Sequence, residues 1–206
     1  KWGDLPLPQY LAAAFSVYGV AVLAYVNLSG AVVDDRGRGV LKRLRGTPLP
    51  RWAYLAGKLC SSLLLGLLTV ALIFSIGAVF FGVRVGVGAM AMTAVVFVVI
   101  IVTAAALGLL LASLVRSTQT AIALALGTLL PLSMISDIFV NAPELPSTLS
   151  TIGWTFPLRH MSWIAVQTSS GAALDAAWFQ HLGVIMLWLV LAVLLAWRLF
   201  RWEPRP

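Results

Sequence analysis

VDDRGRGVLKRLRGTPLPRWAYLAGK, residues Val33 to Lys58, is the one long polar interruption in a chain that is otherwise mostly apolar. It holds seven of the 14 Lys and Arg residues: Arg36, Arg38, Lys42, Arg43, Arg45, Arg51 and Lys58. Leu41 and Leu44 stand three apart, a spacing that gives a short helix one small apolar face with the basic residues on its other sides. Gly37 and Gly39 loosen the backbone before this helix, and Pro48 and Pro50 stop it before the next apolar run. A basic, bounded helix between two apolar runs can set membrane topology, lie on anionic lipid, or dock onto a soluble partner. The function turns on which of these it does.

Outward from this stretch the composition fixes the class. Of 206 residues, 61% are hydrophobic and 10% charged, with mean hydropathy +0.98, against about 25% charged in soluble domains. Runs of about 20 apolar residues are long enough to cross a hydrocarbon core of about 30 Å. The chain is therefore expected to be an all-α integral membrane protein forming a single transmembrane domain. Its net charge of +7 is accounted for by cytoplasmic loops and headgroup contact, so no nucleic-acid partner is expected. Cys60 is the sole cysteine and forms no intramolecular disulfide.

Spans are expected at about 10–32, 53–81, 89–114, 120–140 and 181–200, with the basic loop at 33–52. Trp52 and Tyr54 suit the headgroup level, and Lys58 can snorkel back toward the same side. Ala104, Gly108 and Ala112 recur every four residues, a small-residue stripe for helix packing, and Pro131 should kink the fourth span. Residues 141–180 are too polar and too broken by Pro143, Pro146, Gly153 and Pro157 to cross. They are read as an outer segment lying in the interface or dipping partway in. The excess of Lys and Arg then makes the Val33–Lys58 side cytoplasmic, with Lys1 outside and Pro206 inside. An outside start with no leader suggests a further span before Lys1, which would make six.

No Walker A loop occurs: Gly57-Lys58 is followed by Leu59, and Trp52 stands where the first glycine would be. No cofactor, metal or catalytic site is expected on this chain, and it is not expected to be an enzyme. His160 and His181 read as polar residues wetting the membrane boundary. Asp137 is the one acidic residue within a predicted span. It falls about 26 Å along its helix at roughly 1.5 Å per residue, close enough to the outer boundary to reach water without a partner. A transport protein without internal charges or a nucleotide site draws its energy from another subunit, and the basic stretch is the natural place for that subunit to push.

Asp35-Arg36-Gly37-Arg38-Gly39-Val40-Leu41-Lys42-Arg43-Leu44-Arg45-Gly46-Thr47-Pro48 resembles the first cytoplasmic loop of ABC-2 type exporter permeases. That pattern runs acidic-Arg-acidic-x-Gly-Thr-Leu-x-x-Leu-x-x-x-Pro. Leu145-Pro146 and Phe156-Pro157-Leu158-Arg159-His160-Met161 resemble the family's Leu-Pro and Asn-Pro-Leu-Thr-Tyr region before the last helix. The similarity is greatest to the branch of daunorubicin and doxorubicin exporters. Gly37, Val40 and Phe156 depart from the pattern, losing a second acid, a capping hydroxyl and an amide.

The resemblance implies a bacterial plasma-membrane permease whose basic loop is a coupling helix on a separately encoded ATPase. Asp35, Arg36, Gly39, Leu41, Lys42, Arg43, Leu44, Arg45 and Pro48 would form the docking surface, and Phe156, Pro157, Leu158 and Arg159 the outer re-entrant motif. Two permeases, identical or not, and two ATPases carrying ATP and Mg would make the working unit. Few polar groups in the spans point to a hydrophobic or amphipathic cargo, a drug, antibiotic or lipid. Phe15, Tyr18, Tyr25 and Phe139 are expected to line its path or to pack against lipid. The alternatives are an exporter of lipid-linked glycans and an ion-coupled carrier.

Overall fold

The computed structural model of the protein describes residues 5–40, 43, 46, 51–139 and 147–199, and the side chains of residues 51 and 147 are outside that description. All secondary structure among them is helical. A first long helix is built from α1 (Leu7–Ala21), a π segment (Val22–Asn27) and α2 (Leu28–Gly37). There follow α3 (Arg51–Phe81), α4 (Val87–Leu114) and α5 (Thr118–Ile135). The chain ends in two short helices, α6 (Ser147–Thr155) and α7 (Pro157–Ser169), and the long α8 (Ala176–Leu199). Five of these stretches are long and apolar enough to cross a membrane: Leu7–Gly37, Trp52–Phe81, Val87–Leu114, Thr118–Ile135 and Ala176–Leu199.

The stretches fall where the hydropathy placed them, but their ends move for local reasons. The first runs five residues past Val32, because Asp34 and Arg38 form an i, i+4 ion pair at 2.9 Å that carries the helix to its end. The fourth stops at Ile135 rather than near 140. Asp137 there takes φ 59, a left-handed conformation that Asp tolerates better than most residues. Ser117 caps the start of α5, its Oγ accepting from the Thr120 amide at 3.1 Å. The last begins at Ala176, so His181 lies inside α8, and Asp175 caps that helix by accepting from the Trp178 amide at 2.8 Å.

α4 is the central helix, with Phe97, Ile100, Ile101, Ala105 and Ala112 buried. In lipid no hydrophobic drive joins one apolar helix to another, so association depends on close contact between helices. The small-residue stripe supplies it: Ala104, Gly108 and Ala112 are all buried against their neighbours. A Cβ on Gly108 would stand 2.7 Å from the Ala24 carbonyl and 3.0 Å from that of Tyr25, both in the π segment. Buried hydroxyls return to their own helices, as Ser16 does to Ala12 (2.7 Å) and Thr103 to Val99 (2.8 Å). α3 and α8 lie at the periphery with Leu64, Leu72, Phe80, Leu187 and Trp197 exposed.

The bundle has two unlike ends. Arg36, Asp35, Tyr54, Lys58 and the last turn of α4 are joined at one end. At the other, Gln9 Nε2 donates to the Arg84 carbonyl at 2.9 Å, and Tyr10 donates to the Asp137 carbonyl.

Candidate functional site

The basic end is divided by the fold into an inner brace and an outer surface. Asp35 accepts from the Tyr54 hydroxyl at 2.7 Å and pairs with Lys58 at 2.7 Å, tying α2 to the start of α3. Arg36 is only 7% exposed. Its guanidinium donates to the Ala112 carbonyl at 3.2 Å and to that of Val115. Those carbonyls lie at the C-terminus of α4, where the last C=O groups lack helical partners and the helix dipole favours a cation. Arg38 and Arg43, by contrast, are exposed. Gly39 takes φ 71, Val40 and Arg43 have helical backbone, and the Arg43 amide donates to the Gly39 carbonyl at 3.0 Å. Leu41, Lys42, Leu44, Arg45 and Pro48 lie outside the described residues.

At the opposite end two expectations are corrected. Asp137 does not go without a partner: its carboxylate pairs with Arg159 at 3.0 Å. Arg159, 3% exposed, also donates to the carbonyl and hydroxyl of Ser150 at 2.9 and 3.0 Å and lies 4.3 Å from the centre of the Trp154 ring. Burial holds the Asp137 carboxyl above the usual carboxylate range, and the guanidinium only partly offsets this. Gly153 permits the arrangement, since a Cβ there would stand 2.6 Å from the Ile135 carbonyl.

The histidines do not wet a boundary either. His160 is buried, and its Nδ1 lies 2.6 Å from Nδ1 of His181. Burial pushes the His160 imidazole below its ordinary value. The Trp154 carbonyl acts in the opposite sense, and nearby Arg159 adds to the fall.

Between the two ends lies a half-open apolar cavity of about 420 Å3. Its walls include Tyr25 of the π segment, Thr128 and Pro131 of α5, Leu158 and Met161 of α7, and Trp188 of α8. The Tyr25 hydroxyl and Thr128 Oγ1 stand 2.8 Å apart, a polar spot in that wall. Phe156 stacks on Trp188 with centroids 5.9 Å apart and planes 22° from parallel, while the Trp188 indole donates to the Thr155 carbonyl at 3.1 Å. Pro157 opens α7 at its first position, where a missing N–H costs nothing. Of the four aromatic residues expected on a path, Tyr25 alone reaches the cavity. Phe15 and Tyr18 instead meet Phe139, at 5.9 and 5.0 Å between centroids. Thr128 and Trp188 escaped the sequence reading, whereas Pro131 and the motif residues Phe156, Pro157, Leu158 and Met161, all noted in the sequence, line the cavity. Among the described residues no group of three His, Cys, Asp or Glu could hold a metal.

Five helices long and apolar enough to cross a membrane, gathered in one bundle with a basic end and an apolar cavity, make this a multi-pass membrane protein. Residues 6–168 match the family model described as ABC-2 type transporter, and the chain belongs to that family. The family anticipated from Asp35–Pro48 and Phe156–Met161 is thus the one found. The chain is 25% identical over 179 residues to the "Probable multidrug ABC transporter permease YbhR" of Escherichia coli K12, covering 86% of this chain and 46% of that protein. It is 24% identical over 159 residues to the "Putative transport permease YvfS" of Bacillus subtilis 168, covering 76% of this chain and 63% of that protein. The chain spans about half the length of the first of these relatives.

Proposed function

We propose that this chain is the membrane subunit of an ATP-driven exporter, carrying a hydrophobic or amphipathic compound out of a bacterial cell through its plasma membrane. The observation that carries the reading is the division of labour at the basic end. Arg38 and Arg43 are exposed for a partner, while Asp35 and Arg36 fix the same short stretch to α3 and α4. A push on residues 38–46 is thereby delivered to the central helix. Two ATPase subunits would supply it, holding the ATP and Mg for which this chain has no loop, and a second permease, identical or not, would complete the path. Lys1 then lies outside and Pro206 in the cytoplasm, with α6 and α7 as the re-entrant segment.

The apolar cavity supports a hydrophobic cargo, and the word "multidrug" in the name of one relative agrees with it. A lipid-linked glycan exporter is less well supported, because a sugar would need more polar wall than Tyr25 and Thr128 offer. The test is co-purification from the native membrane. An ATPase bearing a Walker A motif should accompany the wild-type chain and be lost from Arg43→Glu, while Arg84→Glu, at the other end, retains it. A wild-type chain that purifies with no ATPase would refute the proposal.

A further inference from the structure

The two histidines, the only ones in the chain, are used by nothing described so far, yet their geometry fixes where each proton sits. Nε2 of His160 lies 2.8 Å from the Trp154 carbonyl, which can only accept, so that nitrogen carries a hydrogen. In the neutral ring Nδ1 of His160 is then a bare acceptor. Its partner at 2.6 Å, Nδ1 of His181, must be the donor. One proton therefore holds α7 to α8. Nε2 of His181 can take a second and leave that bond intact, whereas a proton on Nδ1 of His160 puts two N–H groups head to head across the gap.

We infer that the His160–His181 pair is a proton-loosened junction: a proton taken up by Nδ1 of His160 parts α7 from α8 and widens the cavity between them. The surroundings leave the charged pair little room. Trp154 stacks on His181 (5.3 Å, 24°) and Trp163 lies 4.1 Å from it. His181 is only partly buried, which gives a proton its way in. The other titratable groups around the junction are Tyr10 of α1, Asp137 after α5, Arg159 of α7 and Asp175 before α8. α4 and α6 contain none. Asp137 and Arg159 are paired with each other, so the carboxylate of Asp175 favours the added proton and the guanidinium opposes it only weakly.

The consequence reaches the cavity because α7 and α8 both wall it. His160 lies between Leu158 and Met161, which line it, and Trp188 follows His181 by two turns on the same face. The closed junction binds one proton fewer than the open one. Acidification below about 6.5, the ordinary histidine value, therefore moves the balance toward the open form by up to about tenfold per pH unit. Its role in releasing cargo rests on the exporter reading above; the junction itself does not.

The test uses the full chain in nanodiscs, purified without a histidine tag and without ATPase or nucleotide. With two histidines, selective 15N labelling gives two spin systems. At pH 7.5 one ring should be the Nδ1–H and the other the Nε2–H tautomer, and on acidification the Nδ1–H ring should become imidazolium first and the other only as the junction opens. Over the same range, hydrogen-exchange protection of the 157–169 amides, corrected for intrinsic rates, should fall up to about tenfold per pH unit in the wild type. It should stay flat in His181→Phe. Two rings titrating independently near 6.5, or equal loss of protection in both proteins, would overturn the inference. Because neither measurement involves transport, failure of the exporter proposal would appear separately, as a lack of ATP-driven export.

Discussion

Arg36 and Arg38 are two positions apart and chemically identical, yet the fold gives them opposite work. Arg36→Ala leaves the Ala112 and Val115 carbonyls unpaired in a buried place, a loss of about 1–3 kcal/mol. Arg38→Ala removes an exposed ion pair and should change stability by less than about 0.5 kcal/mol. Thermal unfolding in one detergent distinguishes them, and equal shifts would show that Arg36 is not the cap described. Asp137→Asn should cost about 3–5 kcal/mol by stranding the buried Arg159 charge. Replacing both by apolar residues of similar size should recover most of that. Neither Arg36 nor Asp137 was legible in advance. Positive-inside counting treats every arginine alike, and Asp137 lies 22 positions from Arg159, so the tertiary fold alone brings them together.

At the scale of elements, the stripe on α4 was visible because its spacing matches a helix, but its partner was not. Gly108 meets a π segment, and six residues of π geometry at Val22–Asn27 leave no mark in VLAYVN. Such a segment holds one more residue per turn than the flanking helix and sets the rotation of everything after it. Inserting one alanine between Val32 and Val33, beyond that segment, should turn the end of α2 by about 100°, taking Arg36 away from the α4 C-terminus. The expected outcome is a chain that still inserts in the membrane but no longer stimulates its ATPase; retained stimulation would mean that the register of α2 does not matter. Gly108→Val should cost about 1–3 kcal/mol through overpacking against the Ala24 and Tyr25 carbonyls. Gly37→Ala, which meets nothing within 4 Å, should be neutral or slightly stabilising. Unfolding midpoints of the two variants decide the matter. Residues 141–180 were read as too polar and too broken to span; neither α6 nor α7 is long and apolar enough to do so, while 176–180 belong to α8. What hid the structure of α6 and α7 is that their polar residues face one another, Arg159 to Ser150 and His160 to the Trp154 carbonyl, rather than water.

For the whole molecule, composition alone gave the membrane class and the count of apolar stretches, because a hydrocarbon core imposes length and polarity limits that few sequences meet by accident. It did not give the cavity, whose walls come from the first long helix and from α4, α5, α7 and α8. Peripheral α3 and α8 leave large apolar side chains exposed, as lipid contact requires. The two buried arginines are both engaged within the chain: Arg36 caps a helix and Arg159 holds Asp137. The exporter proposed above places the source of work outside the chain, at the exposed side of the basic end.

The most direct measurement is export in sealed proteoliposomes containing the permease with its co-purified ATPase, followed by loss of a hydrophobic fluorescent dye from the ATP-accessible side. The account predicts export that requires ATP and is abolished by Arg43→Glu while the ATPase still hydrolyses ATP at its basal rate. Dye movement at the wild-type rate in vesicles lacking both the second polypeptide and nucleotide would contradict it.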